Sequence, residues 1–328
     1  MSELSRRKFI AGTAVSAGSL ALSGGLMAFK EPQHLHPTSD TDTPRAKYDI
    51  MQDVAKYRKL DSHVHVNLAS TDAEVQKKYA ESLIDYSRRL QVQKLVLSNP
   101  VTRLINGVPD GSPEAFIRNN NIVLAVMKLY PEVLTGSFTF NPVHAKESMD
   151  EIKRCVDQGM TNAKVYYQTK INDPSYYPIV EKMIDLKMII HCHAEVQIGV
   201  GGYRMKYNGF KPKNVSIPED FVDIAKRYPE AMFQYAHIGG GGDWEYMCKA
   251  LKNSPNVYVD TSGSNNEEHL VDFAVAHLGE DRVLFGSDNC YYQSVGKILA
   301  SNLTETQKRK IFFENFNNIL RKGGRNVD

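Results

Sequence analysis

At 328 residues, with 42% hydrophobic and 24% charged residues, the chain has the composition of a soluble globular protein and ample material for one large domain or two medium ones. Its formal net charge is +2, but Arg6, Arg7, Lys8 and Lys30 against Glu3 leave the remainder near −1, and no basic stripe points to nucleic acid. The four cysteines, Cys155, Cys192, Cys248 and Cys290, form no CxxC pair, which argues against a zinc ribbon, a redox dithiol or a disulfide scaffold and predicts packed free thiols, Cys290 included.

Residues 1–30 open with Ser5-Arg6-Arg7-Lys8-Phe9-Ile10 and continue as a mildly apolar run rich in Ala, Gly and Ser. Paired arginines before such a run resemble a bacterial twin-arginine export signal. That resemblance implies the twin-arginine machinery as a partner, export of a folded protein and a periplasmic location. A membrane anchor is the competing reading, because no A-x-A cleavage site is evident and the run is close to spanning length. Residues 31–57 read as a linker, with Pro32, Pro37 and Pro44 in its first part, and His34 and His36 are set aside as ligands despite their HxH spacing.

From residue 58 onward short apolar runs alternate with amphipathic stretches. The runs are 59–66, 93–98, 134–140, 162–167, 187–193, 232–237, 256–261 and 282–287; the helical stretches between them are 72–90, 113–130, 145–158, 176–185, 218–227, 244–252 and 267–278. Eight βα units predict an α/β fold, a closed (β/α)8 TIM barrel over 58–328. A doubly wound open sheet is the competitor, but no glycine-rich fingerprint follows the first run. Barrel chemistry sits at the C-terminal ends of the strands, and the polar residues collect there: His65, Asn99, Asn141, Lys164, Tyr166, His191, His193, His237, Asp260, Thr261 and Asp288.

Strand alternation puts Asp61, His63 and His65 on one face of the first run, with Ser62, Val64 and Val66 on the other. His191 and His193 share parity as well, and either could face the barrel mouth. Four segments, Asp61-Ser62-His63-Val64-His65, Ile189-Ile190-His191, Tyr235-Ala236-His237-Ile238-Gly239-Gly240 and Leu284-Phe285-Gly286-Ser287-Asp288, in this order on an eight-unit pattern, resemble the amidohydrolase superfamily and its branch of metal-dependent hydrolases and decarboxylases over about residues 58–325.

The resemblance implies a divalent metal ion, one zinc, facing His63, His65, His191 and Asp288. It makes His237 and Asp288 the catalytic pair, His237 orienting water or the substrate carbonyl and Asp288 moving a proton to the leaving group. His191 is favoured over His193 as the ligand because it directly follows the apolar run, which leaves His193 for substrate. Lys164 belongs either near substrate beside a single ion or, carboxylated, between two ions, and the first is preferred. The 195–217 segment, with four glycines beside Tyr203, Arg204 and Tyr207, has a binding lid's composition, so Tyr203 and Arg204 are expected to touch substrate, as is Arg103. The expected reaction is hydrolysis of a small carbonyl compound (lactone, amide or ester); the alternative is non-oxidative decarboxylation of an aromatic or unsaturated acid.

Overall fold

Every apolar run becomes a strand. The computed structural model describes residues 50–99, 104–105, 108–196, 214–238, 240 and 242–327. The strands are β1 (Lys59–His65), β2 (Val92–Ser98), β3 (Leu134–Phe138), β4 (Asn162–Val165), β5 (Ile189–His193), β6 (Met232–Ala236), β7 (Val257–Asp260) and β8 (Val283–Leu284). They pair in parallel in chain order, and Ser62 N donates to Phe285 O (3.0 Å) while Asp288 N donates to His63 O (2.7 Å), joining the exit of β8 to β1. The result is the expected (β/α)8 barrel. β8 is shorter than its apolar run because the chain leaves its ladder at Phe285 to make these bonds. Gly286 lets it pass there, since a Cβ would lie 3.0 Å from the Cβ atoms of both His63 and Asp260.

Helices follow their strands: α2 (Ala73–Leu90), α3 (Pro113–Met127), α4 (Ala145–Asp157), α5 (Tyr177–Asp185), α6 (Pro218–Arg227), α7 (Trp244–Ala250), α8 (Leu270–Leu278) and α9 (Tyr291–Leu299). The starts of α2 and α3 follow from capping. Asp72 and Ser112 accept from Val75 N and Ala115 N, and Gln91 ends α2 in the left-handed region. Helix α1 (Ile50–Ala55) lies inside the stretch expected to be linker. Val54 and Tyr57 are buried and the Lys59 ammonium donates to their carbonyls, so the compact unit begins upstream of residue 58.

Two apolar layers flank the strands. One fills the space between sheet and helices; the other closes the N-terminal end of the lumen, where Leu60, Val96, Ile189, Met232 and Leu284 meet Phe313, Phe316, Ile319 and Leu320 of the C-terminal helical segment. Burial of each large side chain contributes roughly 1.5–3 kcal/mol. With that end plugged, the polar lumen residues are left at the C-terminal ends of the strands. Among the described residues no helix is long and apolar enough to cross a membrane. The twin-arginine run lies outside the described residues.

Strand β1 departs from simple alternation. Leu60 packs in the lumen and Asp61 reaches the Tyr86 hydroxyl on α2, yet Ser62 accepts from Gln234 and His63 contacts Asp260, both in the lumen. The expectation that Asp61 shares a face with His63 and His65, with Ser62 opposite, is corrected. Asp61 pairs with Leu95 and Val64 with Leu97, so β1 carries one extra residue there, a bulge that reverses the parity.

Candidate functional site

The ends of β1, β5, β6, β7 and β8 bring five histidines and two aspartates together. His63 Nε2 and His65 Nε2 are 3.2 Å apart; Asp288 Oδ1 lies 3.0 Å from His65 Nε2 and 3.5 Å from His63 Nε2. The outer ring nitrogens are held from behind. His63 Nδ1 is 3.2 Å from Asp260 Oδ2 and His65 Nδ1 is 2.9 Å from Ser98 Oγ. A carboxylate behind His63 fixes Nδ1–H and leaves the Nε2 lone pair inward, as a metal-binding imidazole requires. Burial pushes both rings toward the neutral form. Burial alone would raise Asp288, but His63, His65 and His237 outweigh it and hold the carboxylate well below its usual range. Two neutral nitrogens and an ionised oxygen within 4.8 Å of one another fit a divalent cation. A second group, His63, His237 and Asp260, meets the same spacing.

The turn presenting Asp288 is unusual. Asp288 and Asn289 have φ of 48° and 63°, and Asn289 pays for its left-handed backbone by bonding β1, accepting from His65 N (2.7 Å) and donating to His65 O (2.8 Å). Helix α9 starts beyond it with Cys290 as N-cap, so Asp288 serves no cap. Cys290 is exposed at the mouth, contrary to the packed thiol expected, because this turn carries it outward; Cys155, Cys192 and Cys248 are buried.

His191 stands beside the set rather than in it: its ring is 4.3 Å from that of His63, but Nε2 faces Lys164 Nζ (3.0 Å) and Asp260 Oδ2 (3.2 Å). Burial and the Lys164 charge push its pKa down to about 3. Lys164, expected near substrate, is buried below the mouth with Nζ 3.0 Å from both His63 Nε2 and His191 Nε2, and burial lowers it to about 8. His193 is farther out, 3.7 Å from Glu195 and with its ring 5.3 Å from that of His237. His237 follows a cis Ala236–His237 peptide; its Nδ1 is 2.9 Å from Ser262 Oγ and 3.6 Å from Asp288 Oδ2. Gly263 packs on it at φ 95°, where a Cβ would come 2.7 Å from His237 Cβ. Tyr203, Arg204 and Arg103 lie outside the described residues.

Sequence reasoning placed Asp260 at a strand end without giving it a role. It is fully buried, touches His63 and His191, accepts from Gln234 Nε2 (2.9 Å) and Ser262 N (3.0 Å), and is bonded by Ser262 Oγ. The inward parity of 257–260 was its signal. Tyr166 OH, 3.4 Å from His65 Nδ1, and Ser98 are further supports.

A mouth cavity of about 470 Å³ opens over this cluster, lined by His193, Glu195, His237, Asn266, Asp288 and Gln293 among others. A larger one, about 550 Å³ and lined by Arg58, Phe313 and Arg321, belongs to the plugged end and has no histidine. The histidine and aspartate cluster borders the smaller cavity.

The buried imidazoles make a pH prediction for metal-free protein. His63, His65, His191 and His237 all have folded pKa values below 6.5, so as pH falls through 6.5 the unfolded chain gains protons that the folded chain refuses, and stability drops. Each contributes up to ~1.4 kcal/mol per pH unit, and Asp61, which burial pushes up to about 7, works in the opposite direction and cancels about one of them. Melting in chelator is expected to show a steadily falling midpoint from pH 7 to pH 5; a flat profile would contradict the buried, neutral cluster.

Comparison with known proteins agrees with this architecture. The solved structures it resembles include 2,6-dihydroxybenzoate decarboxylase from Rhizobium (TM-score 0.62, 16% identity, 82% of this chain and 99% of that one) and 4-oxalomesaconate hydratase from Rhodopseudomonas palustris (0.61, 17%, 80% and 96%). A third is a dihydroxybenzoic acid decarboxylase from Polaromonas with bound manganese and 2-nitroresorcinol (0.59, 16%, 81% and 96%). At these identities the likeness is one of fold. No curated protein sequence matches the chain. The family model described as amidohydrolase, however, matches residues 60–315, from β1 through β8 and into the C-terminal segment, and the chain therefore belongs to the amidohydrolase family.

Proposed function

We propose that the chain is a metal-dependent hydrolase acting on the carbonyl of a small lactone, amide or ester at the C-terminal mouth of the barrel. The observation that carries this reading is the convergence of His63 Nε2, His65 Nε2 and Asp288 Oδ1 beside that mouth. These three would hold the ion, with His191 kept beside them by Lys164 and Asp260. The proposed occupant is a single zinc; manganese is the metal of the Polaromonas relative. When bound, the ion supplies Lewis acidity, polarising a carbonyl and acidifying water.

The chain's own side chains do the remainder. Asp288, its carboxylate ionised, accepts a proton from water and returns it to the leaving group. His237, its ring fixed through Ser262 and walled by Gly263, lines the cavity and orients the carbonyl. Asp260 holds His63 in its productive tautomer. Lys164 is assigned to bracing His191, giving up its contact with His63 Nε2 to the ion; in the two-ion alternative the carbamate formed on its nitrogen would be a bridging ligand. The twin-arginine run supports a periplasmic place of work.

Decarboxylation is the second reading, favoured by relatives that are named decarboxylases. Hydrolysis leads because the ionised Asp288 borders the cavity, where it can take a proton from water and return it to a leaving group. Metal-loaded protein assayed on lactone, amide and hydroxybenzoate panels is expected to consume water and release acid. Release of carbon dioxide without water consumption would replace the lead with the second reading.

A further inference from the structure

The bulge in β1 decides where its histidines point. With Leu60 in the lumen, a regular strand would place His63 and His65 outside, against the helices. The extra residue between Asp61 and Val64 turns both inward. A single carboxylate secures this kink. Asp61 Oδ1 accepts from His63 N (3.2 Å) across the bulge and from Ser287 N (2.9 Å) on the chain leaving β8, and Oδ2 accepts from the Tyr86 hydroxyl (2.9 Å). Tyr86 is itself buried and stacked on Tyr291, with ring centroids 3.7 Å apart. Asp61 thus ties together the backbone of one candidate ligand, His63, and that of the residue before another, Asp288. It is fully buried and is no part of the mouth cavity's lining.

We propose that Asp61 is a positioning residue for the metal site: its carboxylate locks the bulge that aims His63 and couples it to the turn that presents Asp288. This rests on the metal reading above, and the test separates the two. Metal-free wild type, Asp61→Ala, Asp61→Asn and His63→Ala are titrated with zinc against a chromophoric chelator, and the visible absorption of each cobalt-substituted protein is recorded. Loss of a partner that orients ligands costs about 10–100-fold in metal affinity, so Asp61→Ala is expected to bind zinc more weakly by that factor with an altered cobalt spectrum. Asp61→Asn keeps an acceptor for His63 N and Ser287 N and is expected to stay within about threefold of wild type. If Asp61→Ala is insoluble, Asp61→Leu, which keeps volume but offers no acceptor, is read in the same way. Wild-type affinity and spectrum in the Ala or Leu variant, whatever its melting temperature, would overturn the proposal, as would an Asn variant as impaired as Ala. If His63→Ala also kept full affinity, the metal reading itself would be what failed.

Discussion

Replacing His237 by asparagine is expected to lower kcat by about 10²–10⁴-fold while the protein keeps its ion, the range for loss of a positioned group acting on the reacting atoms. His237 is fixed by Ser262 and lies 3.6 Å from the Asp288 oxygen that does not face His65. It is outside the His63, His65 and Asp288 group, so its loss should cut turnover far more than metal content. Metal analysis beside steady-state kinetics checks this. Loss of the ion together with activity would shift the binding site to the His63, His237 and Asp260 group.

Replacing His63 by alanine has the other large effect: turnover is expected to fall to background and zinc affinity to fall by more than the about 100-fold that marks the upper end for an outer partner. His63 contributes the nitrogen facing both His65 and Asp288, and its ring also stacks on His237 at 5.4 Å, so its removal disturbs the ion and the catalytic pair together. The fold should survive. Asp260 loses one imidazole but keeps His191, Gln234 and Ser262, so its buried charge is not left without partners. A melting temperature near wild type with activity at background is the expected pair of results; collapse of both would mean that His63 is needed mainly for folding.

The barrel is readable because the strands are short apolar runs that, the first excepted, keep a period of two; Leu95, Val96, Leu97 and Ser98 alternate outward and inward as that period demands. The site was readable where histidine or aspartate ended such a run. It was misread at Asp61, since a bulge adds one residue on one strand without leaving a mark in composition. Asp260 was under-read for a different reason: a lone aspartate closing a strand declares itself only when His63 and His191, far away in sequence, are folded against it. Lys164 is expected on the fourth strand, and only the folded positions of His63 and His191 reveal that its nitrogen lies among the candidate ligands. Helix α1 was lost to the proline-rich stretch before it, its place on the domain being set by the buried Lys59 ammonium bonding the carbonyls of Val54 and Tyr57.

The central claim, that side chains from β1 and from the turn after β8 share one ion, is tested most directly by metal analysis of wild type and His63→Ala after identical reconstitution. One divalent ion per wild-type chain and almost none in the variant is the predicted result. Equal metal content in the two proteins would contradict it.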